Sequence, residues 1–179
     1  KGMVGSAIFR ALKRSGYTNI SVIARDDVDL LSQYDVMSFF KKRGFDKVFI
    51  CAAKVGGIYS NSQYPADFIY QNIEIQSNII NACHQNNVNN VIFLGSSCIY
   101  PKESKQPIKE ESLLTGSLEP TNQWYAIAKI AGIKICESFN IPVSYTHLRA
   151  HETLMNLVCR LLLEKKRQSC VAQVAPTPS

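Results

Sequence analysis

Residues 47–57 read Lys47-Val48-Phe49-Ile50-Cys51-Ala52-Ala53-Lys54-Val55-Gly56-Gly57. The apolar run lacks polar alternation, so Lys47 to Ala53 reads as a strand buried on both faces, stopped by a glycine-rich turn. Asn90 to Leu94 is a second such run, broken by Gly95, and Ile20 to Ala24 a shorter third. Helical spacing fills the intervals. Met3 to Gly16 places Val4, Ala7, Ile8, Ala11 and Leu12 on one face. Val36 to Arg43 reads as a short helix. Pro65 opens a long helix to about His84, with Ile69, Ile73, Ile79 and Ile80 inward. Thr121-Asn122 is expected to cap a last helix, Gln123 to Phe139. Strands alternating with helices, joined by right-handed crossovers, predict an α/β doubly wound parallel sheet. Ligands in such sheets bind at the carboxyl ends of the strands. The loops in question are Gly2–Gly5, Arg25–Leu30, Ala52–Gly57 and Gly95–Tyr100.

Composition agrees with a globular domain. The chain has 179 residues, 46% of them hydrophobic and 19% charged, which excludes a disordered chain or a coiled coil. No stretch approaches the ~18 consecutive apolar residues of a membrane span, and the start does not read as a signal peptide. Twenty basic residues stand against 14 acidic ones, a net charge of +6. Residues 142–179 hold 5 basic and 2 acidic residues, so half of the excess lies in that tail. The body has no basic stripe with interleaved aromatics, so neither nucleic acid nor membrane is expected as a partner. Six cysteines (51, 83, 98, 136, 159 and 170) form no CxxC pair and read as reduced thiols of a cytoplasmic protein.

Four features carry chemistry. Gly2-Met3-Val4-Gly5 opens a helix, where free N–H groups and two small residues admit a pyrophosphate; the same pattern also suits an ordinary helix start. Arg25 and Asp26-Asp27 follow the first short run, where an adenine ribose or its 2′-phosphate would be read; a solvated turn fits as well. Gly95-Ser96-Ser97-Cys98 follows a strand, so the Ser96 hydroxyl can donate to a substrate oxygen and Cys98 can serve as a small core residue or an acid/base thiol. Tyr125 and Lys129 lie four apart on one helical face, where a cation beside the phenol is expected to lower its pKa.

In this order the motifs resemble the extended branch of the short-chain dehydrogenases/reductases, enzymes of nucleotide sugars with a Rossmann fold. Ala52-Ala53-Lys54-Val55-Gly56-Gly57-Ile58, Tyr64-Pro65-Ala66-Asp67-Phe68-Ile69-Tyr70-Gln71-Asn72, Leu94-Gly95-Ser96-Ser97-Cys98-Ile99-Tyr100-Pro101 and Glu119-Pro120-Thr121-Asn122 with Tyr125 to Gly132 are similar to the GDP-L-fucose synthase family. The likeness runs from Gly2 to about Asn140. It implies an NADPH-dependent 3,5-epimerase/4-reductase of a GDP-4-keto-6-deoxy sugar, with NADP(H) as cofactor, a GDP-sugar as substrate and a homodimer through the two long helices. It implies a reductase triad of Ser96, Tyr125 and Lys129, and Cys98 as one of two epimerase acid/base groups. The family's partner histidine has no counterpart, since His147 and His151 stand in another context. The cofactor crevice is assigned Gly2, Met3, Val4, Gly5, Arg25, Asp29, Leu30, Ala52, Ala53, Lys54, Asn72, Leu94 and Gly95, with Tyr125 and Lys129; no metal is expected. Another extended reductase, an epimerase or dehydratase, is a second reading, and a non-catalytic dinucleotide sensor a third.

The likeness stops after Asn140. Pro142 to Thr153 resembles one reading frame of a transposase-type sequencing adapter, and Leu157 to Lys166 its downstream half. Residues 142–179 are therefore expected to be translated adapter rather than evolved protein, although Leu154, Leu157, Val158, Leu161 and Leu162 also have the spacing of an amphipathic helix. On this reading residues 1–141 are a partial NADP-binding domain, truncated at both ends. Its first strand, which the second and fourth strands would flank, and its substrate domain are then absent, and the chain alone is expected to be inactive.

Overall fold

The computed structural model describes residues 2–23, 26–140 and 149–150. Its elements are α1 (Met3–Arg14), α2 (Gln33–Arg43), β1 (Lys47–Ile50), α3 (Ile58–Gln63), α4 (Pro65–Gln85), β2 (Asn90–Phe93), α5 (Gln123–Asn140) and β3 (Arg149–Ala150). The three strands are parallel in the order β1-β2-β3, with Lys47 opposite Asn90 and Ile50 opposite Phe93. Helices cover both faces of this sheet. Ile50, Val91 and Phe93 join Val36 and Phe40 of α2, Ile79, Ile80 and Cys83 of α4, and Ile130, Ile133 and Cys136 of α5 in the main core. On the other face, Ile8 and Leu12 of α1 meet Phe49, Cys51 and Leu94. Odd and even residues of β1 thus feed opposite layers, which is why the strand reads as unbroken apolar sequence.

Helix ends follow local chemistry. Ser32 accepts the Asp35 N–H at 3.2 Å and starts α2 three residues before the apolar pattern suggests. Gly44, at φ 66°, ends it in a conformation that favours glycine. At α5 the expected side-chain cap is not made. The Thr121 hydroxyl turns to Glu119 Oε1 at 3.3 Å, and the buried Asn122 Oδ1 has no hydrogen-bond partner among the described residues. Only the Asn122 backbone carbonyl serves the helix, accepting the Ala126 N–H at 3.1 Å.

Other expectations change too. Residues 17–23 form no strand. Ile20 packs under α1 and Ile23 against the main core, so packing alone accounts for the apolar run. Strand β1 ends at Ile50, where the ladder with β2 ends, and not at Ala53. Moreover, β2 is paired on both edges, by β1 and β3. No place beside it remains for a further strand between the second and fourth runs, so the expected strand order is wrong. A further strand can pair only on the free side of β1 or beyond β3. Arg149 and Ala150, past the expected domain limit, lie on the sheet. Residues 142–148 and 151–179, including the spaced leucines, fall outside the described residues.

The closest packing lies between α4, α5 and β2. Gln76 is 2% exposed and its side-chain amide donates to the Ala128 carbonyl. A Cβ at Gly132 would lie 2.6 Å from Phe93 Cζ and 2.7 Å from Gln76 Oε1. Both neighbours are buried, Phe93 at 6% and Gln76 at 2% exposure. Gly132→Ala should therefore destabilise the intact protein by about 1–3 kcal/mol, the usual cost of overpacking, read as a lowered denaturation midpoint at unchanged m-value.

Candidate functional site

Three loops meet at the carboxyl edge of β1 and β2. The Leu94 N–H donates to the Ile50 carbonyl at 3.3 Å, the last bond between the strands. The Leu94 carbonyl then accepts from Lys129 Nζ at 2.9 Å, which draws α5 over the strand ends. Lys129 is only 3% exposed, and its ammonium lies 4.6 Å from the Phe93 ring centroid and 5.9 Å from that of Tyr125. No carboxylate forms an ion pair with it among the described residues. Burial lowers its pKa to about 8, opposed by the nearby Cys51 and Cys98 thiols.

Beyond Leu94 the chain extends through Gly95 and Ser96 into a single 3-10 turn, Ser97–Ile99. That turn folds Cys98 back, so its thiol donates to Ser96 Oγ at 3.2 Å. Burial raises the Cys98 pKa, while the Ser96 hydrogen bond and Lys129 oppose the shift. Tyr125 rises to about 12 through burial and the neighbouring Cys98. The expected lowering by Lys129 is not seen, since the ammonium is aimed at the Leu94 carbonyl. Ser96, Cys98, Tyr125 and Lys129 therefore share one cluster, as their spacing suggests.

The loop between Cys98 and Tyr125 is tied at its base. Lys102 N–H meets the Ser117 carbonyl at 2.9 Å, and Lys102 Nζ pairs with Glu119 at 3.1 Å. An open cleft of about 830 Å³ lies along it between Pro101 and Pro120.

The proposed cofactor residues divide. Gly2 precedes α1 in an extended conformation with no side-chain cap, so first-turn N–H groups are left for a ligand; Met3 is 85% exposed there. Val4 lies on the buried side with Ile8, and Gly5 stands over Cys51. Ala52, Ala53 and Lys54 follow β1 along the same edge. Asn72 is 2% exposed, but both ends of its amide are engaged. Its Oδ1 accepts the Lys54 N–H at 2.7 Å, and its Nδ2 donates to the Lys54 carbonyl at 3.0 Å and to Phe68 at 2.7 Å. Asn72 thereby holds the Lys54 backbone and fixes the 52–54 turn. Lys54 Nζ itself bridges to Asp67 at 3.1 Å.

Asp29 and Leu30 belong to the approach to α2. Asp29 Oδ1 accepts the Leu31 N–H at 2.9 Å, and Asn78 of α4 donates to the Leu30 and Leu31 carbonyls at 3.0 and 3.1 Å. Arg25 lies outside the described residues. Sequence reading missed Asn78 and also Asn61, which is 4% exposed and donates to the Gly56 and Gly57 carbonyls at 3.0 and 3.2 Å. The available signal was an asparagine inside each helix, where that residue is a poor helix former.

Comparison with known proteins places this geometry. The NAD dependent epimerase/dehydratase family matches residues 1–150. The chain is similar to the GDP-L-fucose synthase of Escherichia coli K12, 59% identical over 140 residues, covering 78% of this chain and 44% of that protein. It is 54% identical over 141 residues to GDP-L-fucose synthase 1 of Arabidopsis thaliana, covering 79% and 44%. The chain thus spans under half the length of these relatives. Among solved structures, a GDP-mannoheptose C4 reductase from Campylobacter jejuni with NADP bound superposes at TM-score 0.76 with 40% identity, covering 80% of this chain and 42% of that one. A GDP-L-fucose synthetase from Naegleria fowleri bound to NADP gives 0.71 and 28%, covering 78% and 42%. An uncapped helix start, a buried lysine over the strand ends and a family match across 1–150 agree: the chain belongs to the NAD dependent epimerase/dehydratase family.

Proposed function

We propose that this chain is the cofactor-binding segment, residues 1–141, of an NADPH-dependent 3,5-epimerase/4-reductase that converts GDP-4-keto-6-deoxy-mannose to GDP-L-fucose. The observation that carries the reading is the Cys98 thiol set 3.2 Å from Ser96 within the same cluster as Tyr125 and Lys129. A reductase needs the phenol, hydroxyl and lysine; a thiol among them adds the acid/base group that an epimerase needs. That thiol favours this reading over a plain reductase or a sensor. The chain's 59% identity to the E. coli synthase supports it.

The residues present fit NADP(H). The first turn of α1 offers N–H donors without a side-chain cap, and Lys129 uses one of its three donors on Leu94. When bound, NADPH supplies the hydride. The chain's own groups do the rest. A 4-keto group acidifies the C3 and C5 hydrogens, so Cys98 takes or returns a proton at these carbons. The Cys98 S–H is directed at Ser96 Oγ, which leaves the Ser96 O–H free to donate to the developing oxyanion. Tyr125 keeps its proton at neutral pH and gives it to the C4 oxygen. Lys129, with two of its three donors left over, can hold ribose hydroxyls of the cofactor.

None of the described helices is long and apolar enough to cross a membrane. The thiols of Cys51, Cys83, Cys98 and Cys136 suit a reducing cytoplasm. Tyr70 on α4 and Trp124 and Ile127 on α5 are exposed, and we assign them to a contact between two copies of the intact protein.

Three results test this reading in the intact protein. Tyr125→Phe should lower NADPH oxidation by about 10²–10⁴-fold, the worth of a positioned acid, while C3 and C5 of the sugar still take up solvent deuterium; wild-type turnover would refute the assignment. In Gly5→Ala the new methyl meets only Cys51 Cβ at 3.8 Å. Stability should hold or rise by up to about 1 kcal/mol from helix propensity, while calorimetry shows weaker NADP+ binding. Lys129→Met should be more stable than wild type at pH 7, because it removes a buried ammonium. The unfolded lysine binds its proton up to its ordinary value of 10.5, the folded one only to about 8. Wild type therefore regains stability as pH rises from 8 toward 10.5, and the gap should narrow across that window in parallel urea titrations.

A further inference from the structure

Helix α4 buries two side-chain amides a turn apart, Asn72 and Gln76, each 2% exposed. Asn72 serves the loop after β1, where it holds the Lys54 backbone. Gln76 serves α5. Its Nε2 donates to the Ala128 carbonyl, an orientation fixed by the fact that a carbonyl oxygen only accepts. Ala128 lies inside α5, so helix geometry already offers its carbonyl the Gly132 N–H. The bond from Gln76 is therefore not required to satisfy a buried acceptor. An apolar side chain of similar length would fill the same space with no amide to desolvate. What the amide adds is a fixed link between α4 and α5 at the residue next to Lys129. Other contacts converge there. Ala128 is fully buried, and one turn on Gly132 has no side chain, so that Gln76 Oε1 and Phe93 Cζ lie 2.7 and 2.6 Å from where a Cβ would stand. The Phe93 ring centroid is also 4.6 Å from the Lys129 ammonium, which meets the Leu94 carbonyl at 2.9 Å. A hydrogen bond weakens steeply when bent or stretched, so a shift of α5 at Ala128 would release the lysine.

We propose that Gln76 is a positioning residue for Lys129: its bond to Ala128 sets α5 at the depth from which the ammonium reaches Leu94 with two donors left for the cofactor. The inference rests on the site taking NADP(H). Gln76 acts through Lys129, so its loss should be felt in cofactor binding only while the lysine is present.

The test is a double-mutant cycle in the intact protein, read by calorimetry of NADP+ binding beside NADPH oxidation with the 4-keto sugar nucleotide. Gln76→Met keeps the length of the side chain and removes the donor. It should unfold in urea with an unchanged m-value and bind NADP+ about fivefold more weakly than wild type. In the Lys129→Met background the same change should alter the Kd by less than about twofold, because the residue through which it acts is gone. Gln76→Glu is the conservative variant: burial keeps its carboxyl neutral, and the O–H can donate the same bond. It should return the Kd to within about twofold of wild type. Gln76→Leu, also without a donor, carries the same cycle where Gln76→Met does not fold. An equal loss in both backgrounds overturns the proposal, since Gln76 then acts on packing alone, and leaves the functional reading standing. An unchanged Kd in Gln76→Met, or a Gln76→Glu as weak as Gln76→Met, does the same. Wild type that binds NADP+ but does not oxidise NADPH overturns the functional reading alone, and the cycle in Kd decides on Gln76. Failure of wild type to bind NADP+ overturns both.

Discussion

The hydrogen bond from Lys129 to the Leu94 carbonyl organises the site. An ammonium is costly to bury, and this one is offset by a single backbone carbonyl and the faces of Phe93 and Tyr125. It holds because α5 runs close enough to β2 for a lysine to reach the strand end. That closeness depends on Gly132, where any Cβ would strike Phe93 and Gln76, and on Gln76, which reaches across to Ala128. Packing at Gly132, about one turn beyond Lys129 on α5, therefore sets where the charge sits.

Around this centre the loops are fixed by asparagine side-chain amides rather than by ion pairs. Asn72 grips the backbone of Lys54 from both sides, Asn78 ties the approach to α2 onto α4, and Asn61 holds the Gly56-Gly57 turn. Each converts a loop with free backbone groups into a satisfied one. The three salt bridges seen, Lys54–Asp67, Lys102–Glu119 and Lys134–Glu137, lie at the surface and add little by comparison.

The four longer helices and the two longer strands were legible in the sequence because burial imposes a period on each; the six-residue α3 was not, being too short to show one. The order of strands was not, since it depends on which edges meet, and short runs of the type Ile20–Ala24 look alike whether they pair or merely pack. The four clustered residues could be found because Tyr125 and Lys129 share a helical face and Ser96 and Cys98 share a turn. The role of Asn72 could not. Its position was visible, but only the geometry reveals that both ends of its amide are taken by the backbone. The cap on α5 failed for a related reason: Thr121 and Asn122 have the right composition, but Glu119 competes for the hydroxyl.

On the proposed chemistry, a thiol and a phenol must hold protons of different availability within one pocket. Burial pushes both upward, and each acts on the other, since the Cys98 charge opposes ionisation of Tyr125. Only one of the two can readily carry negative charge at a time. The Ser96 hydrogen bond and Lys129 oppose that rise at the thiol, and nothing comparable opposes it at the phenol, so Cys98 is the easier of the two to ionise for proton abstraction at carbon. When the thiol recovers its proton, the opposition is lifted and Tyr125 is freer to release its own to the C4 oxygen. The two acids beside one cation are thus coupled, the thiol suited to proton exchange with carbon and the phenol to holding its proton for the C4 oxygen.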